Sequence, residues 1–161
     1  MQSVDSTLIY HVQLRTYRTG PNLPYAAYSF CAAKRPSTNK VYLSGGALWG
    51  IGISDKFFAF DIATETFETL SSLPEIRAKA MCYIFDSEGK LLVAGGVGAL
   101  WANTDTARIY DIQSRTWSNA KELPNTHSAP WMSTTIEGHD TIFALQVAIS
   151  GIYHYYLEED E

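Results

Sequence analysis

Residues 91–96 read LLVAGG, and residues 41–46 read VYLSGG. Each is an apolar run that ends in a glycine pair, and the two pairs, Gly45-Gly46 and Gly95-Gly96, lie 50 residues apart. A period of this length is typical of repeat architectures. The rest of the chain should therefore show the same spacing.

Other residues follow the same period. A shift of 50 residues aligns the following pairs with each other: Phe60-Asp61 with Tyr110-Asp111, Thr66-Phe67 with Thr116-Trp117, and Leu73-Pro74 with Leu123-Pro124. One period earlier, the same register contains Tyr10, Thr16-Tyr17 and Leu23-Pro24. Several matches in one frame indicate an internal repeat.

One period contains four short strands separated by turn residues. Residues 78–85, 90–95, 106–111 and 115–118 are predicted strands, and DSEGK separates the first two. Asp61 and Asp111 begin turns in which the carboxylate can accept hydrogen bonds from backbone N–H groups two residues on. Four antiparallel strands in about 50 residues are the composition of a propeller blade.

The glycine pairs, the aromatic-Asp pairs, the later aromatic residues and the Leu-Pro pairs together resemble the Kelch family of β-propellers. The resemblance implies an all-β fold, a partial propeller of about three four-stranded antiparallel blades in an open arc. A single domain would span residues 1–161. Its parts would be a partial blade (7–24), two blades (25–74 and 75–124), a partial degenerate blade (125–157), with Leu145-Gln146 in place of a glycine pair, and an acidic tail (158–161).

The repeated residues are predicted to be structural. Glycine pairs allow irregular backbone angles and close backbone approach. No Lys-Ser/Thr follows them, as a phosphate loop requires. Large aromatic residues would fill the space between blades: Tyr10, Tyr17, Phe60, Phe67, Tyr110 and Trp117. Cys31 and Cys82 lie in apolar surroundings, which favours buried reduced thiols over a disulfide.

Composition narrows the classes of function. The net charge is −5, with 12 Lys and Arg against 17 Asp and Glu, so nucleic acid is not an expected partner. No segment resembles a secretory signal or a membrane span, which predicts a cytoplasmic protein, with a nuclear location left open. The four histidines lack metal-site spacing, and no nucleophile motif is found. We therefore expect no metal, no cofactor and no catalytic site.

Two loops carry the candidate site. They read ALWGIGISD (47–55) and VGALWANTD (97–105), and each contains one tryptophan, a residue enriched among interface anchors. In Kelch propellers these loops, with the segments that enter the first strands, commonly bind partners. The resemblance therefore implies a partner-binding site made of Trp49, Trp101, Arg77, Tyr25, Asn125 and His127. Two structural alternatives stay open: the tryptophans fold back over their own blades, and Arg77 bonds loop carbonyls.

The resemblance implies a protein-interaction module with an unidentified protein partner. The alternatives are part of a propeller enzyme, of the oxidase or sugar mutarotase type, and a truncated remnant without independent activity. An open arc would expose apolar surface and strand edges. Either the chain is a piece of a longer protein that supplies the missing blades, or two copies complete a ring. Self-association of the isolated chain is expected in both cases.

Overall fold

The computed structural model describes residues 5–124 and, beyond them, the backbone of three further strands. The described part is all-β and consists of antiparallel sheets of two to four strands. Sheet I pairs β1 (Leu8–His11) with β2 (Thr16–Thr19). Sheet II contains β3 (Cys31–Lys34) and β4 (Lys40–Ser44), followed after a short ribbon of β5 (Ala47–Leu48) and β6 (Gly52–Ile53) by β7 (Phe57–Asp61) and β8 (Thr66–Thr69).

Sheet III repeats the order of sheet II. It contains β9 (Met81–Phe85) and β10 (Lys90–Ala94), then a single 3-10 turn (Ala99–Trp101), then β11 (Ala107–Asp111) and β12 (Thr116–Ala120). Sheet IV contains β13 (Trp131–Thr135), β14 (Thr141–Gln146) and β15 (Ile152–Tyr156). Lys40 pairs with Asp61 and Lys90 pairs with Asp111, so sheets II and III share one register. The predicted strands of one period are confirmed.

The tight turns that close sheets II and III form as predicted. Asp61 Oδ1 accepts hydrogen bonds from the backbone N–H of Ala63 (2.9 Å) and Thr64 (3.1 Å). Asp111 Oδ1 accepts one from the N–H of Ser114 (2.6 Å). These bonds stabilise the ionised carboxylates and lower the pKa of both aspartates. The turns are therefore set by local side-chain chemistry.

Both faces of β9 and β10 in sheet III are buried, which explains the nearly continuous apolar sequence of these two strands. One face packs against sheet II, where the ring of Phe57 lies 4.8 Å from Tyr110 and 5.1 Å from Trp117. The other face forms a second cluster around Met81 and Leu92. Strand β9 lies beside both β3 and β13. The prediction that Tyr110 and Trp117 pack between sheets is confirmed.

The same prediction is wrong for Tyr10 and Tyr17. Their ring centroids lie 4.7 Å apart, with the ring planes tilted by 42°, but both side chains are exposed. They occupy the repeat positions of Tyr110 and Trp117, which pack against the preceding sheet. Among the described residues no sheet precedes sheet I, so this face has nothing to pack against.

The prediction of reduced thiols is also wrong. Cys31 and Cys82 form a disulfide, and their Cα atoms are 5.8 Å apart. Each cysteine lies in the first strand of its sheet, and the neighbouring positions of β3 and β9 bring the two together. The apolar surroundings were read correctly, because both residues are buried in the same core cluster. The sequence did not show that they are in contact.

The glycine pairs have the structural role that was predicted. Gly45, Gly46, Gly95 and Gly96 all have positive φ, between 64° and 102°. A Cβ on Gly45 would collide with the carbonyl oxygen of Arg77, and one on Gly96 would collide with that of Ala78. Only glycine permits this backbone approach between a strand end and the segment beside it.

Candidate functional site

The loops after β4 and β10 are each closed at the base by an equivalent backbone hydrogen bond. The N–H of Ser54 donates to the carbonyl of Gly46 (2.8 Å), and that of Thr104 donates to Gly96 (3.1 Å). The segment of Arg77 and Ala78 links the two loops. The backbone of Arg77 accepts from Gly46 N–H (2.7 Å) and donates to the carbonyl of Ser54 (3.0 Å), and Ala78 pairs with Val97 of the second loop. The two loops therefore lie side by side at one end of sheets II and III.

The side chain of Arg77 is only 2% exposed and bonds the backbone at the base of the second loop. Its Nη1 donates to the carbonyls of Gly95 (2.9 Å) and Thr106 (3.2 Å), and its Nη2 donates to Glu75 (2.7 Å). Burial lowers the pKa of the guanidinium, and the Glu75 carboxylate opposes that effect. The guanidinium bonds loop carbonyls, in the manner of the structural alternative that the sequence left open.

Tyr25 supports the first loop in the corresponding way. Its hydroxyl donates to the carbonyl of Gly45, and its ring lies 5.3 Å from Phe58. Burial raises the pKa of Tyr25 to about 12. Sheet II has Ala27 at the repeat position of Arg77, so the tyrosine hydroxyl reaches the carbonyl that an arginine reaches in sheet III. Two different residues satisfy equivalent groups.

The tip of the first loop presents Trp49 and Ile51. The ribbon of β5 and β6 carries this tip, and Ile51 N–H donates to the carbonyl of Leu48 (3.2 Å). The indole of Trp49 lies 6.5 Å from the ring of Tyr28, yet 58% of Trp49 is exposed, as is 81% of Ile51. Trp49 therefore lies beside Tyr28 without being buried.

The tip of the second loop presents Leu100 and Trp101. Leu100 is 97% exposed and Trp101 45% exposed. Both have left-handed backbone angles, with φ of 54° and 61°. This conformation costs a non-glycine residue about 1–2 kcal/mol. The loop thus holds two large apolar side chains in solvent on a strained backbone.

The structure brings four of the six predicted site residues to the same end of sheets II and III. Asn125 and His127 lie outside the described residues. Trp49 and Trp101 are exposed, whereas Tyr25 and Arg77 bond loop carbonyls within the chain. The prediction missed Ile51 and Leu100, although an apolar residue near glycines in each quoted loop was a readable signal.

No family model matches this chain, and a search of curated proteins finds no match. Within the part of the chain that the structure describes, no group of three or more His, Cys, Asp or Glu side chains could hold a metal ion. A helix long and apolar enough to cross a membrane is likewise absent from residues that the structure describes.

Proposed function

We propose that the chain is a protein-interaction module of the Kelch type, in which sheets I to IV are blades of a partial propeller. The shared register of sheets II and III, the 50-residue period and the glycine pairs at equivalent strand ends support this arrangement. The binding surface is the apolar tip pair, defined as Trp49, Ile51, Leu100 and Trp101.

The exposure of these four side chains carries the proposal. Large exposed apolar patches on soluble proteins mark interaction surfaces, and tryptophan is the residue most enriched among binding hot spots. The left-handed backbone of Leu100 and Trp101 adds to the argument, because strained conformations cluster at functional sites. In a loop without a binding role, glycine or asparagine at position 100 would give a lower free energy than leucine.

Tyr25 and Arg77 hold the loops in place and do not themselves form the contact surface. Both bond the carbonyl of the first glycine in a pair, which fixes the point where each loop leaves its strand. A rigid base reduces the conformational entropy that the tips lose when a partner binds. Substituting either residue should therefore weaken binding through loss of loop order.

The test compares affinity capture by the wild type and by the double variant Trp49→Ala/Trp101→Ala. The bait is the purified chain, and the source is an extract of the cells that make it. A protein retained by the wild type and lost from the variant should bind the purified chain in calorimetry, with an affinity at least about tenfold higher than for the variant.

The matched control is Tyr10→Ala/Tyr17→Ala, which removes two exposed aromatic side chains from sheet I. It should retain the same captured protein. Urea denaturation checks that neither double variant is globally unfolded. Equal capture by all three chains, or a collapse of the unfolding midpoint in the tryptophan variant alone, would show that the tip pair is not a binding surface.

We also propose that sheet I mediates self-association. Five apolar residues of sheet I and its connecting turn are exposed: Leu8, Tyr10, Val12, Leu14 and Tyr17. Tyr10 and Tyr17 lie on the face of sheet I that corresponds to the face by which sheet III packs against sheet II. Light scattering on a sizing column should detect oligomers of the wild type and mainly monomers of Tyr10→Ser/Tyr17→Ser. A wild type that is monomeric at high concentration contradicts this proposal.

A further inference from the structure

A cavity of about 190 Å³ lies between sheets II and III, at the opposite end of the strands from the apolar tip pair. Lys40, the first residue of β4, lines it, whereas the tip with Trp49 follows the last residue of that strand. Arg115, in the turn between β11 and β12, closes the other side. A space of this size holds several water molecules or one small organic molecule.

Tyr110, one of the residues that line the cavity, carries a buried hydroxyl. This residue is 1% exposed, and its hydroxyl finds no hydrogen-bond partner among the described residues. Burial raises the pKa of this hydroxyl, and the charges of Arg115 and Glu68, which also line the cavity, act on it in opposite directions. A buried O–H donor without an acceptor costs about 1–3 kcal/mol. An acceptor bound in the cavity would remove this cost.

The charges around the cavity favour an anion. Three cationic side chains line it, Arg35, Lys40 and Arg115, against a single carboxylate. That carboxylate, Glu68, is shared between Lys40 Nζ (3.4 Å) and Arg115 Nη2 (2.8 Å). Arg35 Nε donates to Asp86 (2.9 Å), which lies in the adjacent turn. Among these side chains one positive charge remains in excess, the Lys40 contact is the longest of the pairs, and Asp61 at the end of β7 also attracts Lys40.

The mouth and the wall of the cavity differ in character. At the mouth, the side chain of Arg115 is 60% exposed and can move to meet a ligand. Along the wall, Ala59, Leu70 and Ile112 present apolar surface. Pockets for small molecules commonly combine an apolar lining with a few polar groups that fix orientation. This lining suits a compact body attached to a charged group.

We propose that this cavity binds a small oxyanion, a phosphate or carboxylate group on a compact organic body, with Tyr110 donating to an anion oxygen and Lys40 and Arg115 supplying the charge. Both acid groups present oxygen acceptors to the same donors. The site uses none of the apolar tip residues, so it stands or falls independently of the proposed partner contact.

The experiment titrates the purified chain with inorganic phosphate and with benzoate, each against sodium chloride at equal ionic strength. Binding should raise the melting temperature with at least one of the two probes and shift the methyl signals of Leu70 and Ile112 in NMR spectra. Preference for one probe identifies the acid group. If neither probe acts beyond chloride, water fills the cavity and the proposal fails.

The variants test the named donors. Tyr110→Phe should lower the affinity for the active probe by about tenfold, with no loss of stability in the unliganded protein, because its hydroxyl has no partner to lose. Lys40→Gln should lower the affinity in the same way, and Arg18→Gln, at a residue that does not line the cavity, should not. Equal affinity of the wild type, Tyr110→Phe and Lys40→Gln would overturn the assignment. Trp49→Ala/Trp101→Ala should bind the probe as the wild type does.

Discussion

The disulfide between Cys31 and Cys82 joins the first strands of sheets II and III, with the two Cα atoms 5.8 Å apart. It lies in the core cluster that also contains Phe57 and Tyr110. At one end of the strands, Asp86 of sheet III accepts hydrogen bonds from Arg35 Nε (2.9 Å) and Ser37 N–H (2.6 Å) of sheet II. At the other end, the backbone of Arg77 connects the same two sheets. Sheets II and III are therefore held together by a disulfide, by core packing and by hydrogen bonds at both strand ends.

Reduction of the disulfide should lower the free energy of unfolding by about 4 kcal/mol, because the bond closes a loop of 51 residues and restricts the unfolded chain. Urea denaturation with and without a thiol reductant measures the difference. The double variant Cys31→Ser/Cys82→Ser should be insensitive to reductant. An unchanged wild-type midpoint would mean that the pair is not oxidised, as expected in a reducing compartment.

Substitution of Gly96 by alanine should destabilise the chain by about 3 kcal/mol or more, because its Cβ would press on the backbone of residues 78–80. Gly50 is the control. Its φ is also positive (74°), but a Cβ there meets open space, so Gly50→Ala should cost only about 1–2 kcal/mol. Thermal denaturation of both variants checks this. Equal losses would show that backbone angle, and not close approach, requires these glycines.

Removal of the Arg77 guanidinium should cost about 2–3 kcal/mol, since Arg77→Met leaves buried loop carbonyls without their donor. Arg18→Met is the comparison. Its pair with Glu65 is exposed and screened by solvent, so the loss there should be much smaller. Chemical denaturation gives both values. A smaller loss for Arg77→Met than for Arg18→Met would contradict the supporting role.

Replacement of Leu100 by asparagine should leave stability unchanged or raise it by up to about 1 kcal/mol, because asparagine tolerates the left-handed backbone better than leucine. Leu100→Ala keeps the strain and should match the wild type. Melting temperatures of the three chains decide. A fall in both variants would mean that Leu100 packs against something in solution. Binding of the partner should weaken in both.

Alkaline pH should destabilise the wild type through Tyr25. Its pKa rises from 10.0 to about 12 on folding, because burial disfavours the phenolate. The neutral hydroxyl therefore contributes stability that is complete below pH 10 and is lost as the pH rises from about 10 to about 12. Urea midpoints across this range should fall more steeply for the wild type than for Tyr25→Phe. Parallel curves would assign the loss to other groups.

The 50-residue repeat allowed much of the fold to be predicted from the sequence. The strands of sheets II and III, the aspartate turns and the need for glycine at Gly45 and Gly95 all follow from local preferences that recur every 50 residues. The site was readable in part, because tryptophans in glycine-containing loops have no strand to belong to. Leu100 was not predicted as a site residue because its exposure and backbone angle, which make it a candidate, cannot be read from a residue pattern.

The sequence by itself determined which segments form strands, to within a few residues at each end, and which residues turn the chain, because those choices depend on neighbours a few positions away. Contacts between residues 18 to 51 positions apart were decided only by the tertiary structure. Packing of β3 beside β9 turned two apolar cysteines into a disulfide. Packing of Arg77 beneath the second loop directed a charged side chain to backbone carbonyls. Both outcomes depend on which strands become neighbours, which short-range preferences do not encode.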